Sequence, residues 1–375
     1  MHSTITSLSP GIARITRFSP HRQKPEGAGD MTQTNAVWVM NRHADGPMSD
    51  DNLVLREQPM PEPGEGEIRV RGVYLSLDPT NRVWLSPRYT YLPPIPLGDP
   101  MRGFIIGVVD KSRAPGWAEG DIAYGLMQWA RYSIINPDRT AFMMKMPAPT
   151  EVSLEASICA LAMNAHTAYY GLLLKGQPRP GDTVLISGAA GATGVQAGQI
   201  AKIAGCRVVG IAGGAEKCAM LVNELGFDAA IDYKAENVLE AIGRTCPDGV
   251  DIFFDNVGGP ILDAALAHLA MGARVVICGG ISDYDNIEDP DALYGVKNHF
   301  MLLMRRARME GFVVFDFLGG ADQQRCERDL TRWFQAGRLK YQAHVVEGIE
   351  HAFPSLKLLF NGGNRGKLLV RLDRD

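Results

Sequence analysis

Glycines recur where a predicted β-strand passes into a predicted helix, in the stretch VLISGAAGATGVQAGQIAKI (184–203), at spacings of three, three and four residues. Glycines at such a turn let the backbone approach a diphosphate closely, and the N-terminus of the following helix directs unpaired N–H groups at that anion. Because the turn lies in an alternating strand–helix pattern, it indicates a dinucleotide site rather than close packing alone. Gly198 is expected to let the helix lie close to the neighbouring strand. The predicted contacts to the diphosphate are Gly188, Gly191, Ala192, Thr193 and Gly194.

The residues after the second predicted strand favour NADPH over NADH. An acidic residue normally holds the free ribose 2′-hydroxyl of NADH at this point, but Ala212 and Gly213 stand there. A 2′-phosphate instead requires a cation; Lys217 is the nearest one, and Tyr233 can add a hydroxyl. Two alternatives stay open: Glu216 could accept from the ribose, and Lys217 could be a solvated helix residue.

The elements that must position these residues alternate regularly after Asp182. Apolar runs typical of a parallel sheet covered on both faces are separated by helical segments, which predicts an α/β doubly wound (Rossmann) domain. The predicted strands are 184–186, 207–211, 229–233, 250–255 and 274–278, with 311–317 as a sixth. The predicted helices are 153–173, 193–204, 215–225, 238–245, 260–270 and 321–337.

The N-terminal part differs from this pattern. Short alternating segments at 36–40, 52–59, 66–77 and 103–110, interrupted by prolines, predict an irregular β domain that the C-terminal stretch 366–372 may rejoin. Residues 1–30 are rich in Ser, Thr, Pro and Arg, and we interpret them as a disordered leader upstream of a second start at Met31.

Bulk composition excludes several classes of function. The length of 375 residues suggests two domains, and a net charge of −4 without a basic stripe argues against a nucleic-acid or anionic-membrane partner. No apolar run is long enough to span a bilayer. The six cysteines include no C-x-x-C pair, which favours free thiols in a reduced cytoplasmic protein and argues against a structural zinc site. His43 has no cysteine partner in the first domain, so a catalytic zinc is disfavoured and no metal is predicted.

Several motifs together resemble one known family. They are YLSLDP (74–79), GAAGATG (188–194), GCRVVGIAGGAEKC (205–218), DIFFDNVGG (251–259), ICGGISDY (277–284), MEGFVVFDF (309–317) and GNRGKLLVRL (363–372). In this order they are similar to the zinc-independent medium-chain dehydrogenases/reductases, in the branch of leukotriene B4 12-hydroxydehydrogenase/prostaglandin reductases and curcumin reductase. The resemblance implies a GroES-like β domain (31–159 and 341–375), a Rossmann domain (160–340), a homodimer and NADPH as cofactor.

The resemblance also implies the cofactor contacts. Asn256 follows the fourth strand, at the carboxyl edge of the sheet where ligands of open α/β sheets bind, and Asn364 could hydrogen-bond the nicotinamide amide. The implied contacts beyond the glycine turn are Gly213, Lys217, Tyr233, Asn256, Cys278, Gly279, Ile281, Ser282, Tyr284, Phe312, Val313, Val314 and Asn364.

Two stretches depart from the family pattern. DPTNR (78–82) places Thr80 where family members commonly have tyrosine, and MNAHTAY (163–169) places Asn164 and His166 where Pro and an apolar residue are usual. These changes suggest a substrate more polar than a lipid enone, or a different proton donor. For His166 a structural helix position is slightly favoured over a catalytic one.

The predicted reaction is reduction of a carbon–carbon double bond conjugated to an aldehyde or ketone. Hydride adds to the β-carbon and negative charge develops on the carbonyl oxygen, so a donor aimed at that oxygen lowers the barrier. Tyr284 is the first choice for this donor, and Asn81, Tyr91 and His166 are further candidates. The alternatives are an NADPH quinone oxidoreductase and a non-catalytic NADPH-binding protein.

Overall fold

The computed structural model describes residues 34–140, 142–148 and 152–372. The predicted leader, residues 1–30, lies outside the described residues. Among those that are described, no helix combines the length and the hydropathy needed to cross a membrane.

The described chain folds into two units, and its C-terminal part alternates between them. Of the described residues, the first unit contains those up to Leu154, then Val345–Lys357 and those from Leu369 to Leu372. The second contains Glu155–His344 and Leu358–Leu368. The segment 358–368, which the sequence-based division assigned to the β domain, therefore lies in the second unit.

Strands occur throughout both units, mostly where apolar or alternating stretches predict them. In chain order they are β1 (Thr34–Met40), β2 (Leu53–Pro59), β3 (Ile68–Leu77), β4 (Arg102–Ser112), β5 (Ile122–Gln128), β6 (Tyr132–Ile135), β7 (Met143–Met146), β8 (Thr183–Ile186), β9 (Arg207–Ala212), β10 (Ala229–Asp232), β11 (Val250–Asp255), β12 (Leu269–Ile277), β13 (Arg308–Gly311), β14 (Ala343–Glu347) and β15 (Lys367–Arg371).

Most helices lie in the second unit. The α-helices are α1 (Thr80–Val83), α2 (Leu154–Ala156), α3 (Met163–Tyr169), α4 (Ala192–Ile203), α5 (Ala215–Asn223), α6 (Val238–Thr245), α7 (Gly259–Ala267), α8 (Phe300–Arg305), α9 (Gly320–Gln335), α10 (Ala352–Leu356) and α11 (Leu358–Asn361). Wider π-helical turns form at Ser157–Leu161 and Tyr170–Gly176, and tighter 3₁₀ turns at Ile281–Asn286, Pro290–Ala292, Val314–Phe317 and Ile349–His351.

The first unit is built on antiparallel ladders. β1 and β2 pair with each other, and the larger sheet has the order β14-β15-β3-β4-β5-β7, with β6 also pairing with β3. Aromatic rings fill one part of it: Phe104 stacks on Tyr124 at 5.8 Å between centroids and meets Phe142 edge-on at 5.6 Å. The ring of Trp84, at the end of α1, lies 6.4 Å from that of Phe104, so the aromatic cluster fixes this helix.

The second unit is a six-stranded parallel sheet with the order β10-β9-β8-β11-β12-β13. Its central strands β8 and β11 are almost wholly buried, as the apolar runs predict. The parallel doubly wound sheet is therefore confirmed. The sixth strand was misplaced: it is β13, Arg308–Gly311, whereas 314–317 forms a 3₁₀ turn. β13 is an exposed edge strand, so it carries no apolar pattern, and the run FVVF shifted the prediction downstream by three residues at its start and six at its end.

The predicted helix at 153–173 is not continuous. Ala162 adopts an extended conformation (φ −105°, ψ −157°) between the first wider turn and α3, and Gln177 ends the second wider turn, after α3, in the left-handed region (φ 50°). An apolar helical pattern does not distinguish these wider turns from a regular helix, because both bury the same small and apolar residues.

Candidate active site

The glycine turn after β8 has the geometry of an anion cradle. Gly188 has a φ of +58°, and Gly191 is the N-cap of α4. A Cβ on Gly194 would lie 2.4 Å from the carbonyl oxygen of Gly188, so the helix can begin this close to the turn only because residue 194 is glycine. The first-turn N–H groups of α4, at Ala192 and Thr193, have no carbonyl partner within the helix and can bind a negatively charged group.

Gly198 plays a different part from its neighbours. A Cβ there would lie 1.9 Å from Cζ of Phe227, which follows α5. The glycine therefore lets α4 pack on this aromatic ring. The sequence predicted close contact with the neighbouring strand, whereas the close contact at Gly198 is with Phe227.

Asn164, one of the two departures in the stretch 163–169, reaches the same helix terminus. Its Nδ2 donates to the hydroxyl oxygen of Thr193 at 3.3 Å. The hydrogen bond ties α3 to the first turn of α4, so the unusual asparagine orients a residue of the predicted anion cradle.

Three basic side chains converge around Gly362. Lys217 donates from Nζ to the carbonyl oxygen of Gly362 at 2.9 Å, and a Cβ built on this glycine would lie 3.6 Å from Nζ of Lys234 and 4.0 Å from the hydroxyl of Tyr233. Burial lowers the pKa of Lys217, and the positive charges of Lys234 and Arg365 lower it further. Such a cluster of cations around a hydroxyl is chemically suited to a phosphate group.

The residues at the end of β9, Ala212 and Gly213, carry no acidic side chain, and the carboxylate of Asp232 in β10, at the same edge, accepts from the Gly214 N–H at 2.8 Å. The ring of Tyr233 covers Gly213 so closely that a Cβ there would lie 2.8 Å from it. Glu216, the alternative ribose acceptor, forms an exposed ion pair with Arg365 at 2.5 Å. Its carboxylate is thus paired with a cation of the same cluster.

Sequence reasoning missed two of these cations. Lys234 directly follows Tyr233, and Arg365 directly follows Asn364, so each lies beside a residue that was predicted. The fold of the 361–366 loop brings Arg365 to Lys217, and the pairing of β10 with β9 brings Lys234 there.

A buried carboxylate joins the ends of the two central strands. Asp255, fully buried at the end of β11, accepts from the Ser187 hydroxyl at 2.6 Å and from the Gly258 N–H at 3.0 Å. Asn256 donates from its backbone N–H to the same hydroxyl and from Nδ2 to the Ser187 carbonyl oxygen, at 2.8 and 2.7 Å. Burial raises the pKa of Asp255, although these hydrogen bonds oppose the shift. The network holds Asn256 beside Gly188.

The Tyr284 hydroxyl lies at this carboxyl edge of the sheet. It accepts from the Gly280 N–H at 3.3 Å, and a Cβ on Gly279 would lie 3.1 Å from it and 3.2 Å from the Asn256 carbonyl oxygen. The structure thus brings together Tyr284, Gly279 and Asn256, which the sequence predicted separately.

The loop that carries Tyr284 is tied to the loop after β11. Cys278 and Gly279 both donate their N–H groups to the Asp255 carbonyl oxygen, at 2.8 and 3.0 Å. Ile281 donates to the Asn256 carbonyl oxygen at 3.3 Å, and Ser282 bonds the next carbonyl oxygen through its N–H and its hydroxyl. Burial raises the pKa of Cys278 to about 12, so its thiol stays protonated at neutral pH.

The remaining predicted contacts lie elsewhere in the second unit. Phe312 packs on Gly171, where a Cβ would lie 2.5 Å from the ring; Val313 and Val314 follow it and are partly exposed. Asn364 is buried and donates from Nδ2 to the Gly366 carbonyl oxygen at 2.9 Å, so part of its amide already closes its own loop.

His166 lies fully buried in α3, with its ring edge-on to Tyr170 at 6.2 Å. Burial lowers its pKa to about 4, and a contact with the Leu161 backbone, which raises the pKa, offsets only part of this shift. The imidazole is therefore neutral at physiological pH and inside the core, which favours the structural interpretation of this residue.

The other two candidates, Asn81 and Tyr91, belong to the first unit. Asn81 is buried and its Oδ1 accepts from the Asp78 N–H at 2.8 Å. Tyr91 shares a short hydrogen bond with the hydroxyl of Thr80, the residue that departs from the family pattern. Burial raises the pKa of Tyr91.

Comparison with known proteins is consistent with this geometry. Residues 36–143 match the family model described as the N-terminal domain of oxidoreductase, and residues 192–335 match the model described as zinc-binding dehydrogenase. Within the described residues, no group of three or more His, Cys, Asp or Glu side chains is arranged to hold a metal ion.

Individual relatives cover nearly the whole chain. The NADPH-dependent curcumin reductase of Escherichia coli (strain K12) is 35% identical over 92% of this chain and 99% of its own length. The 2-alkenal reductase (NADP(+)-dependent) of Nicotiana tabacum is 38% identical over 83% of this chain and 89% of its own. The crystal structure of CurA in complex with NADPH from Vibrio vulnificus superposes with a TM-score of 0.84 at 34% identity, covering 91% of this chain and 100% of that one.

Proposed function

Because the chain belongs to the zinc-independent medium-chain dehydrogenases/reductases, in the branch of the curcumin and prostaglandin reductases, we propose that it uses NADPH to reduce carbon–carbon double bonds conjugated to an aldehyde or ketone. The observation that carries the choice of cofactor is the group of Lys217, Lys234 and Arg365 around Gly362, beside β9, which ends in Ala212 and Gly213 rather than in an acidic residue.

The second unit contains residues suited to both the diphosphate and the 2′-phosphate of NADPH. The α4 terminus, where residue 194 admits no side chain, suits the diphosphate, and Lys217 with Tyr233 suits the 2′-phosphate. When bound, NADPH would supply the hydride that adds to the β-carbon of the substrate.

The protein's own contribution to the reaction would be the hydroxyl group of Tyr284. Tyr284 would donate a hydrogen bond to the substrate carbonyl oxygen, where negative charge develops, and then a proton to the enolate. The Gly280 N–H, which already bonds the Tyr284 oxygen, would stabilise the negative charge left on that oxygen.

The test is steady-state oxidation of NADPH and of NADH with 2-alkenals, enones and quinones of similar size. We expect turnover of the enals and enones with NADPH preferred. Faster turnover of quinones would support the quinone reductase alternative. Tight NADPH binding by calorimetry without turnover of any acceptor would support the non-catalytic alternative.

A homodimer through the edge of the second unit's sheet completes the proposal. Within the described residues β13 pairs on one side only, with β12, and an unpaired edge can add a strand from another chain. The neighbouring helix α8 exposes apolar side chains, with Phe300 59% and Leu303 67% accessible. A second copy of the chain would cover both features.

A cytoplasmic location is supported by the cysteines. All six are free thiols, and disulfides are rare in proteins of the reducing cytoplasm. Fractionation of the native host would test this location.

A further inference from the structure

A side-chain hydrogen bond joins the first turns of two helices in the second unit. Asn164 lies in the first turn of α3, and its Nδ2 donates at 3.3 Å to the hydroxyl oxygen of Thr193, in the first turn of α4. Both residues are partly exposed, whereas Ala165 and Gly194, which follow them in the chain, are buried. The pair therefore borders solvent, while the helices that carry it are anchored in the core.

The Thr193 hydroxyl is the acceptor of this bond. A hydroxyl has one hydrogen and two lone pairs, so an oxygen that accepts from an amide still has its own hydrogen to donate. A threonine in a helix can donate that hydrogen to the carbonyl oxygen four residues earlier, as Thr167 does to Met163 at 2.8 Å. Thr193 makes no such bond, and its hydroxyl hydrogen has no other acceptor in the described part of the chain. This hydrogen is therefore left for a group from outside the chain.

The group expected at this terminus is the diphosphate of the cofactor. The N–H groups of Ala192 and Thr193 have no carbonyl partners within α4, and Gly194 admits no side chain beside the turn. A hydroxyl on the same turn is a further donor to the same negative charge. Thr193 would then bind the diphosphate through its side chain as well as its backbone.

We propose that Asn164 is a positioning residue for the cofactor: its amide occupies a lone pair of the Thr193 oxygen and so leaves the hydroxyl hydrogen for an oxygen of the diphosphate. The family pattern has proline at this position, and proline has no side-chain donor. Because proline is tolerated in the first turn of a helix, its exchange for asparagine adds a donor without a change of backbone. This inference rests on the proposed use of NADPH, but not on which acceptor is reduced.

Calorimetric titration with NADPH, NADH and adenosine 2′-monophosphate distinguishes this role from a purely structural one. NADPH and NADH share the diphosphate, so Thr193→Val should weaken both by about tenfold, the loss expected for one hydrogen bond to a charged group. Asn164→Ala and Asn164→Pro should weaken both by about three- to fivefold, because the hydroxyl remains but is no longer oriented. Adenosine 2′-monophosphate lacks the diphosphate and should bind every variant as it binds the wild type.

The coupling of the two residues and the direction of their bond provide sharper tests. In a Thr193→Val background, Asn164→Ala should cause no further loss, because the amide acts only through the hydroxyl. Asn164→Asp has nearly the same shape but would accept the hydroxyl hydrogen and add a negative charge, so it should weaken both cofactors more than Asn164→Ala does. Thr193→Ser keeps the hydroxyl and should bind like the wild type. Asn223→Ala, at an exposed asparagine that ends α5, is the matched control.

Three outcomes would overturn the positioning role of Asn164. They are additive losses in the double variant, wild-type affinity in Asn164→Asp, and an equal loss of adenosine 2′-monophosphate, which would reveal a general structural change. Wild-type affinity in both Thr193→Val and Asn164→Ala would refute this inference alone and leave the use of NADPH intact. A wild-type protein that binds neither dinucleotide would refute the proposed function and this inference together.

Discussion

Lys217 donates its ammonium hydrogen to the carbonyl oxygen of Gly362, at 2.9 Å, although 145 residues separate the two along the chain. The contact draws the C-terminal 361–366 loop against the N-terminal half of α5. Together with Lys234 and Arg365 it concentrates positive charge at the end of β9. A 2′-phosphate would relieve the mutual repulsion of these cations, which is the physical basis for preferring NADPH.

Replacing Lys217 by Met should weaken NADPH binding by about 10- to 100-fold, because a hydrogen bond between charged groups is lost. NADH binding should change little, since NADH lacks the phosphate. Calorimetric titration of both cofactors measures the effect. Lys202→Met is the matched control. Lys202 pairs with Asp228 at 2.8 Å and lies at the C-terminal end of α4, away from the glycine turn. Equal losses for both cofactors would contradict the assignment.

Replacing Glu216 by Gln should tighten NADPH binding by about two- to fivefold at low salt, as expected for removal of an exposed opposing charge. Arg365, now paired with Glu216, would become available to the phosphate. The gain should disappear at high ionic strength. Glu240→Gln, at an exposed acid in α6, serves as control. A weaker NADPH complex in Glu216→Gln would instead assign the carboxylate to the ribose.

Replacing Tyr284 by Phe should lower kcat for an enone by about 100-fold, the loss typical of one donor to a developing oxyanion. NADPH affinity should remain that of the wild type, because the ring is retained. Tyr89→Phe, at a tyrosine 61% exposed, controls for the substitution itself. If kcat is preserved, the proton comes from another group.

The second unit shows which parts of a fold a sequence can predict. The buried strands β8 and β11 have apolar runs because both faces of a central parallel strand are covered, and these were located to within a residue or two. Among the strands of the described chain, β13 pairs only with β12, and it exposes Arg308 and Met309, so its residues carry no such run. An edge strand forms because its backbone pairs with a neighbouring strand, and a single sequence has no residue pattern that shows this pairing.

The candidate site divides in the same way. The glycine turn was predictable because a backbone conformation and a close approach require glycine locally, as at Gly188 and Gly194. Arg365 escaped prediction because it reaches Lys217 on a loop more than 100 residues from α5, and Lys234 because it reaches Lys217 through the pairing of β10 with β9.

Replacing Leu303 by Lys should convert the proposed dimer into a monomer. Leu303 is 67% exposed on α8, which precedes β13, the strand at the end of the sheet order in the described part of the chain, and a charge there would have to be desolvated in the interface. Leu239→Lys is the matched control, because this exposed leucine lies on α6, near the opposite sheet edge β10. Sedimentation velocity reports the mass. A dimer that survives Leu303→Lys would place the interface elsewhere.

His166 should make the protein less stable in mild acid without affecting the pH dependence of the reaction. Its pKa falls from an ordinary value of 6.5 to about 4 because burial penalises the imidazolium. The unfolded chain therefore binds more protons between these values, so the stabilisation is complete above pH 6.5 and is lost as pH falls toward 4. At pH 5 the loss should be about 2 kcal/mol relative to pH 7.5.

Urea unfolding of wild type and His166→Met at pH 7.5 and pH 5 isolates this contribution, because the carboxylates titrate alike in both proteins. The variant should lose about 2 kcal/mol less than the wild type on going to pH 5, since methionine cannot be protonated. Its kcat should follow the wild-type pH profile, because the neutral buried ring neither gives nor takes a proton in the working range. An inflection near neutral pH that disappears in His166→Met would assign the residue to catalysis and refute its structural role.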